Sequence, residues 1–360
     1  MIHLFLRSAL RRSLLVLCLA ASASLAQAQT STLDGAELLA ISKPPLAILE
    51  TDPASGILAL QGDLSTSAEL FTAGEGVLSE ALSLEYICLK EEGTALISFD
   101  VGASEETPGG LIIIPGFMEG ERSEARYIHG PATGLDQPKG LVVDAELGVV
   151  SVADFGTNTL KGFDTNAEGD TAPLFNITDL GQTDTGEPRQ PWDLAVDPAR
   201  QCLFVATTDG VILVYNDYLL TRGEGGPDRV IVPTLAGEKA SANLHGVIHV
   251  PEQDALIVAD FGPAKDSDEP GFDTDGKLLV LEDVSRAQGD TEVKAQLAGP
   301  NSGLGNPSDL TLDGSALYVG DKAQDAVLRF EDVLSLSGAV DPAPTGALSV
   351  TKPESLVLLD

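Results

Sequence analysis

Cysteine, histidine, tryptophan and basic residues are all scarce in this chain of 360 residues. It contains 3 Cys, 4 His, 1 Trp and 21 Lys or Arg against 55 Asp or Glu, which gives a formal net charge of −34. Such an acidic field excludes nucleic acid and anionic membrane surfaces as good partners, and favours cations or a saline environment. Only Cys88 and Cys202 lie beyond the first 28 residues. We therefore expect no disulfide framework, and we predict that both thiols are small buried hydrophobes.

No run of apolar residues reaches the ~20 that a membrane-spanning helix requires. Near the N-terminus, three arginines precede an apolar run at residues 14–21, and small residues follow it up to Ala28. This order is typical of a secretory signal peptide. We predict that residues 1–28 are removed and that the mature protein is secreted or periplasmic, without a membrane span. Its 18 basic and 55 acidic side chains would then carry a formal charge of −37.

A unit of about fifty residues is repeated along the chain. Residues 137–164, QPKGLVVDAELGVVSVADFGTNTLKGFD, contain a Pro, three apolar runs and two turns, with an Asp ending each run. The same order returns at 190–217, at 243–262, where VADFG recurs, and at 306–332, with a weaker copy at 84–100. Equivalent positions are 53, 53, 63 and 46 residues apart. A period near fifty with several short strands per copy predicts a β-propeller rather than a helical solenoid.

The two ends of the chain complement each other. Residues 352–360 match only the first strand of a copy, whereas residues 46–62 match the second and third strands. We therefore predict an all-β chain that forms one domain over 29–360, a six-bladed β-propeller of four-stranded blades closed by the C-terminal strand joining the N-terminal blade. Seven blades remain an alternative if residues 36–42 belong to a separate blade. The predicted blades span 37–75 plus 353–360, 82–130, 137–181, 190–237, 242–299 and 306–350.

The pattern Pro-x-Gly-apolar-x-apolar-Asp, followed by VADFGTNTLKGFD, resembles an NHL repeat. The resemblance is strongest over 138–163, and the copies together span about 300 residues. It implies a six-bladed propeller, in agreement with the count obtained from the chain ends. The chain departs from the repeat after Asn158, where Thr159 and Leu160 replace the usual arginine. The resemblance implies a fold and no particular activity, because propellers include binding scaffolds, lyases and lactonases.

Two columns of equivalent residues are predicted to meet at one mouth of the central channel, because successive strands of a blade are antiparallel. The first column follows the repeated Pro and contains Glu85, Lys139, Trp192, His245, Ser308 and Glu354. We predict that these side chains form a ligand-binding surface at the channel mouth. Trp192, the one tryptophan of the chain, would serve as its stacking platform. The alternative is a set of ordinary solvated turn residues.

The second column ends the second strand of each copy and contains Glu50, Asp100, Asp154, Thr207, Asp260 and Asp321. An Asp before a tight turn bonds nearby backbone amides, which is the favoured interpretation. The alternative is a Ca²⁺ ion held by some of these carboxylates. An acidic insertion at 262–276 offers further candidate ligands: Asp266, Asp268, Glu269, Asp273 and Asp275. It lacks the EF-hand order, so a solvated acidic loop is the alternative. His245 and His249 would lie roughly 13 Å apart on one strand, too far to share a metal.

These features support two main hypotheses. The first is a secreted, non-enzymatic propeller that binds a small molecule or a protein at the channel mouth as a monomer. The second resembles the six-bladed lactonases and amidating lyases, with Ca²⁺ or Zn²⁺ on Glu50, Asp154 or Asp260 and His245 as the base. A rigid spacer that binds no ligand is a third possibility. The sequence contains no nucleophile elbow, Walker loop or dinucleotide fingerprint, and it identifies no catalytic residue.

Overall fold

The computed structural model describes residues 36–42, 56–73, 75–90, 93–102, 109–118, 124–264 and 269–359. Over these residues the chain forms six antiparallel sheets, and the innermost strand of each sheet contacts the innermost strands of two neighbouring sheets. The sheets therefore form a ring, which confirms the predicted six-bladed β-propeller.

The strands are numbered in chain order. Blade 1 contains β1 (Leu38–Ser42), β2 (Gly56–Leu60), β3 (Ser67–Thr72) and the last strand of the chain, β27 (Pro353–Leu358). Blade 2 contains β4 (Ala81–Lys90), β5 (Thr94–Gly102), β6 (Gly110–Ile114) and β7 (Arg126–His129). Blade 3 contains β8 (Pro138–Asp144), β9 (Val149–Asp154), β10 (Thr159–Asp164) and β11 (Phe175–Ile177).

The second half of the ring carries additional short strands. Blade 4 contains β12 (Pro191–Asp197), β13 (Cys202–Thr207), β14 (Ile212–Asn216), β15 (Arg229–Leu235) and β16 (Glu238–Lys239). Blade 5 contains β17 (Leu244–Val250), β18 (Ala255–Asp260), β19 (Lys277–Leu281) and β21 (Ala295–Leu297). Blade 6 contains β22 (Pro307–Asp313), β23 (Ala316–Asp321), β24 (Ala326–Glu331) and β26 (Gly346–Ser349). Two strands join neighbouring blades: β20 (Gly289–Glu292) and β25 (Gly338–Val340).

Helical structure is confined to short segments in the described part of the chain. One helical turn, α1 (Tyr218–Thr221), follows β14. The 3-10 turns are η1 (Gly76–Leu78), η2 (Pro198–Arg200), η3 (Pro251–Gln253) and η4 (Val333–Ser335). Among the described residues, no helix has the length and apolar character of a membrane-spanning segment.

The second strands of the blades show why the apolar runs lack strict alternation. All six residues of β9, of β13, of β18 and of β23 are buried. A blade is covered by a neighbouring blade on each of its faces, so both sets of side chains along a strand must fit into a core. Cys202 on β13 is buried as predicted, whereas Cys88 on β4 is only partly buried.

The C-terminal strand closes the ring. β27 runs antiparallel to β1, with Leu358 opposite Leu38 and Pro353 opposite Ser42. The amide of Leu359 also donates to the carbonyl of Glu37 at 2.9 Å. Because β1 belongs to the same sheet as β27, the propeller has six blades and the seven-blade alternative is wrong.

A β-bulge interrupts the start of every innermost strand. In β8, Pro138 is opposite Asp154 and Leu141 is opposite Val152, so the innermost strand carries one extra residue. The same register shift occurs in β4, β12, β17, β22 and β27. A bulge bends a strand and redirects the side chain of its unpaired residue. The position after the repeated Pro therefore has a different orientation from the rest of the strand.

Candidate functional site at the channel mouth

The six residues of the first column all lie in these bulges. They are Glu85, Lys139, Trp192, His245, Ser308 and Glu354. The structure thus places equivalent sequence positions at equivalent places around the ring. Five of the six are buried, and Trp192 is partly exposed. The column therefore does not consist of solvated turn residues, since its side chains fill the mouth of the channel.

Two lysine ammonium groups bind the carboxylates of this mouth. Lys139 Nζ lies 3.0 Å from Glu85 Oε2 and 2.8 Å from Asp100 Oδ2. On the other side of blade 1, Lys322 Nζ lies 2.6 Å from Glu354 Oε2. Glu85 and Glu354 have almost no exposed surface, so each is a buried charge that requires its lysine. Blades 1 and 2 therefore supply an acidic half of the mouth, with a lysine at each boundary.

Three aromatic rings fill the opposite half. The imidazole of His245 stacks on Trp192 with 3.9 Å between ring centroids, and on Phe261 with 4.3 Å. Lys139 Nζ lies over the Trp192 ring at 5.3 Å, and Lys322 Nζ lies over the Phe261 ring at 5.8 Å. A cation over a ring face is attracted by the ring quadrupole. The ammonium groups therefore cap both ends of a continuous stack of three rings.

His245 is a neutral imidazole in this stack. Burial, reinforced by the positive charges of Lys322 and Lys139, lowers its pKa well below the usual range. Its Nδ1 atom is buried and makes no hydrogen bond of normal geometry within the described residues, whereas the buried indole N–H of Trp192 is close enough to the Tyr86 hydroxyl to lower the pKa of that group. An unsatisfied buried polar atom costs about 1–3 kcal/mol, so a ligand atom that bonds His245 Nδ1 would be favoured.

Below the six mouth residues, the channel is filled by groups that sequence reasoning missed. Tyr86, adjacent to Glu85, extends from blade 2 and donates its hydroxyl to the carbonyl of Ser308 in blade 6 at 3.2 Å. Asp193 accepts from the amide of Val247 at 2.9 Å, and Asp309 accepts from the amide of Leu356 at 2.8 Å. Each of these carboxylates therefore links its own blade to the next one.

Burial raises the pKa values of all three deep groups. Burial, together with the neighbouring charge of Asp309, raises the pKa of Asp193 well above its ordinary value. Burial likewise raises the pKa of Asp309 to about 7. Tyr86 has a strongly raised pKa as well, through burial and then the charges of Asp193, Asp309 and Glu354. Gly140 makes room for this arrangement, because a Cβ there would lie 2.6 Å from the Cα of Asp193.

Three acids of the second column, Asp154, Asp260 and Asp321, bond the backbone that precedes β8, β17 and β22. Asp260 accepts from the amides of Ala242, Asn243 and Gly262 at 2.9–3.2 Å. Asp321 accepts from four amides, those of Gly305, Asn306, Ala323 and Gln324. Their oxygens are thus engaged by backbone donors, as the favoured interpretation of this column predicts.

Asp154 combines the same backbone bonds with an ion pair. Its carboxylate accepts from the amides of Asp136 and Gln137, and Lys161 Nζ lies 2.6 Å away. Thr207 replaces the acid in blade 4, where its hydroxyl bonds Asp209 and the carbonyl of Val211. Glu50 lies outside the described residues.

The acidic insertion is only partly described. Asp275 accepts from the amide of Ala264 at 2.9 Å, and the backbone carbonyl of Asp273 accepts from the Gln324 side chain at 3.2 Å. Asp266 and Asp268 lie outside the described residues. Over the residues that the model does describe, no three acidic, His or Cys side chains converge to hold a metal ion. Calcium binding by Asp154, Asp260, Asp321 or the insertion stays a prediction.

His249 lies at the far end of β17 from His245. Its ring is 5.3 Å from that of Phe204, and its Nε2 atom is 3.9 Å from Asp197 Oδ2. Burial lowers the pKa of His249 as well. The two histidines thus lie in separate environments.

One further column completes the mouth and could have been found in the sequence. Phe155, Phe261 and Lys322 each follow the Asp that ends a second strand. Phe155 contacts Trp192 edge to face at 5.3 Å, while the other two belong to the stack and its lysine cap. The repeated VADFG indicates this column, because Phe is not a residue that turns favour and its recurrence at the same position therefore needs another reason.

Comparison with known proteins identifies the fold and no family. No protein-family model matches the chain, and no curated protein matches it in sequence. The NHL resemblance therefore stays a prediction.

Many solved structures share the fold. A chain of a nidogen/laminin complex is 13% identical with a TM-score of 0.59, over 90% of this chain and 98% of that one. The periplasmic gluconolactonase of Pseudomonas aeruginosa is 10% identical with a TM-score of 0.54, over 90% and 99%. Hydrazine synthase of Kuenenia stuttgartiensis is 14% identical with a TM-score of 0.54, over 83% and 82%. These likenesses show that the β-propeller fold is shared, and they assign no activity to this chain.

Proposed function

We propose that this chain is an exported, non-enzymatic β-propeller that binds a small polar ligand or a protein segment at the channel mouth. The observation that carries the proposal is the stack of three rings between two lysines, in which the buried Nδ1 atom of His245 has no hydrogen-bond partner among the described residues. The predicted signal peptide supports export. The nidogen/laminin propeller, which occurs in a complex with another protein, supports a binding role by analogy.

The chemistry of the mouth restricts the ligand. The indole N–H of Trp192 can only donate, so a ligand atom that bonds it must be an acceptor. Lys139 and Lys322 place positive charge at both ends of the stack, which favours an oxygen-rich or anionic group there. The carboxylates of Glu85 and Glu354 on the opposite side favour donors such as hydroxyl or ammonium groups. Hydroxy acids, amino acids and peptide termini carry both kinds of group.

Intrinsic fluorescence tests this proposal, because Trp192 is the one tryptophan of the chain. We expect a member of a panel of hydroxy acids, amino acids, sugars and short peptides to change its emission in a saturable manner. The variant His245→Phe keeps a ring in the stack and removes both nitrogens. It should bind the same compound at least about tenfold more weakly, which corresponds to loss of one good hydrogen bond.

His249→Phe provides the matched control, since it replaces a buried histidine on the same strand away from the mouth. It should bind like the unmodified protein. If no compound changes the emission, or if both histidine variants bind with unchanged affinity, the mouth is not the binding site.

A further inference from the structure

In three blades, described residues of the connection between the third and fourth strands bond the preceding blade. In blade 5 this connection includes β20, which pairs in parallel with β15 of blade 4. In blade 6 it includes β25, which pairs in parallel with β21 of blade 5. In blade 3, Gly169 bonds the backbone of Tyr127 and His129 on β7 of blade 2. Backbone groups at the outer edges of blades 2, 4 and 5 are thereby satisfied from within the chain.

Blade 1 differs from these blades at its outer edge. Among the described residues, no segment pairs with β3 on the side away from β2. A groove of about 1050 Å³ lies there instead, between β3 and the outer part of blade 2. It is lined by Glu69, Phe71, Glu75, Glu124, Tyr127 and Glu168, among others. Exposed backbone groups of an edge strand accept an additional strand.

The walls of this groove are tied together. Tyr127 on β7 donates its hydroxyl to the carbonyl of Val77 in η1 at 2.6 Å, which joins blade 2 to the segment that follows β3. The ring of Phe99 packs edge to face against the ring of Tyr127, with 6.2 Å between the ring centroids. These contacts therefore hold the walls of the groove together at the interface between blades 1 and 2.

The lining of the groove is strongly acidic. Glu69, Glu75, Glu124 and Glu168 are all exposed along it. Arg126 is the one base among the described lining residues, and its guanidinium donates to the carbonyls of Thr165 and Ala167. The ring of Tyr127, which is half-buried, and the edge of the buried Phe71 supply apolar surface among these carboxylates.

The charge decides between the candidate occupants. Residues 119–123 of this chain, Glu-Gly-Glu-Arg-Ser, carry two acids and one base, and a second copy of β3 would bring Glu69 against itself. Either occupant would place acidic side chains against the acidic groove.

We propose that the outer edge of β3 is a docking site for an extended, basic segment of a different protein. The segment adds as a strand to blade 1, with Lys or Arg side chains toward the four glutamates and apolar side chains toward Tyr127.

A labelled peptide tests the proposal. The probe is a peptide of about ten residues in which Lys alternates with Val and Thr, and its counterpart has Glu in place of each Lys. We expect saturable binding of the basic peptide to the full chain by fluorescence anisotropy at about 0.15 M salt, where long-range attraction is screened. The acidic counterpart should not bind. Amide hydrogen exchange should slow at residues 67–72 of the complex.

Charge-matched variants separate this surface from the general acidity of the protein. Glu69→Lys/Glu124→Lys should weaken binding at least about tenfold, whereas Glu146→Lys/Glu238→Lys makes the same change in net charge at exposed sites elsewhere and should leave it within about twofold. Unchanged melting temperatures show that both variants fold. The proposal is overturned by non-saturable binding, by equal weakening in the two variants, or by protection from exchange at another surface. The result is independent of the proposed ligand at the channel mouth.

Discussion

At the scale of residues, one backbone position serves different purposes in different blades. The bulge of each innermost strand directs one side chain into the mouth, whatever its chemistry. Neighbours then decide its state: Lys139 joins two carboxylates, while His245 is kept neutral between two rings. Below them Asp193 and Asp309 form buried links between blades, and their raised pKa values make stability depend on pH.

Asp309→Asn should reduce that dependence. Burial raises the pKa of Asp309 to about 7 in the folded chain, above its ordinary 3.8. The folded state therefore holds a proton that the unfolded state releases, so the free energy of unfolding decreases as the pH rises from about 4 and levels off above about 7. Asn cannot ionise and still accepts from the amide of Leu356.

Urea unfolding at about pH 5 and pH 8.5 measures the effect. Relative to the unmodified protein, the variant should gain on the order of 1 kcal/mol or more between these two pH values, since one unit of pKa shift corresponds to 1.36 kcal/mol. A constant difference between the two proteins at both pH values would show that Asp309 does not titrate in this range.

At the scale of elements, ring closure depends on a strand from the other end of the chain. β27 pairs with β1 and contacts both β22 and β4, so it completes one sheet and two interfaces between blades. Its loss would expose the edge of β1 and apolar faces of three blades. Two short additional strands, β20 and β25, also join neighbouring blades, at the outer edges of the sheets.

Removal of residues 353–360 should therefore abolish cooperative folding. We expect the shortened chain to aggregate, because an unpaired edge and exposed apolar side chains favour association. A synthetic peptide of residues 350–360 added during refolding should restore the monomer, as measured by size-exclusion chromatography and circular dichroism. A shortened chain that unfolds cooperatively near the original melting temperature would show that β27 is dispensable.

At the scale of the whole molecule, excess negative charge opposes the compact state. A formal charge of −34 is spread over a chain whose buried lysines are already paired with acids. Self-repulsion of this kind is screened by salt, with a Debye length that decreases from about 30 Å at 0.01 M to about 3 Å at 1 M.

Added salt should therefore stabilise the protein. We expect the melting temperature to rise by roughly 1.5 °C or more between about 0.01 M and 1 M NaCl, equivalent to about 1 kcal/mol for a domain of this size. KCl at equal ionic strength should have the same effect if screening is the cause. A melting temperature that falls with salt would indicate that the internal ion pairs outweigh the surface repulsion.

The fold was predictable because it follows from periodic features. The repeat of about fifty residues, the partial copies at the two ends and the apolar runs fixed six blades and their closure. The six mouth positions were also predictable, since they follow the repeated Pro. Tyr86, Asp193 and Asp309 could not be predicted from the sequence. Each is adjacent to a mouth position, and only the bulge in the strand directs its side chain into the channel.

The sequence by itself determined the all-β architecture, the ring and which positions surround its axis, because local patterns and turn residues repeat with the blades. Only the tertiary structure decided what those positions do. Burial, the stacking of Trp192, His245 and Phe261, the pairing of each lysine with a carboxylate and the exposed edge of β3 all depend on distances between blades. Such distances join residues far apart in the chain, and they arise only when the ring has closed.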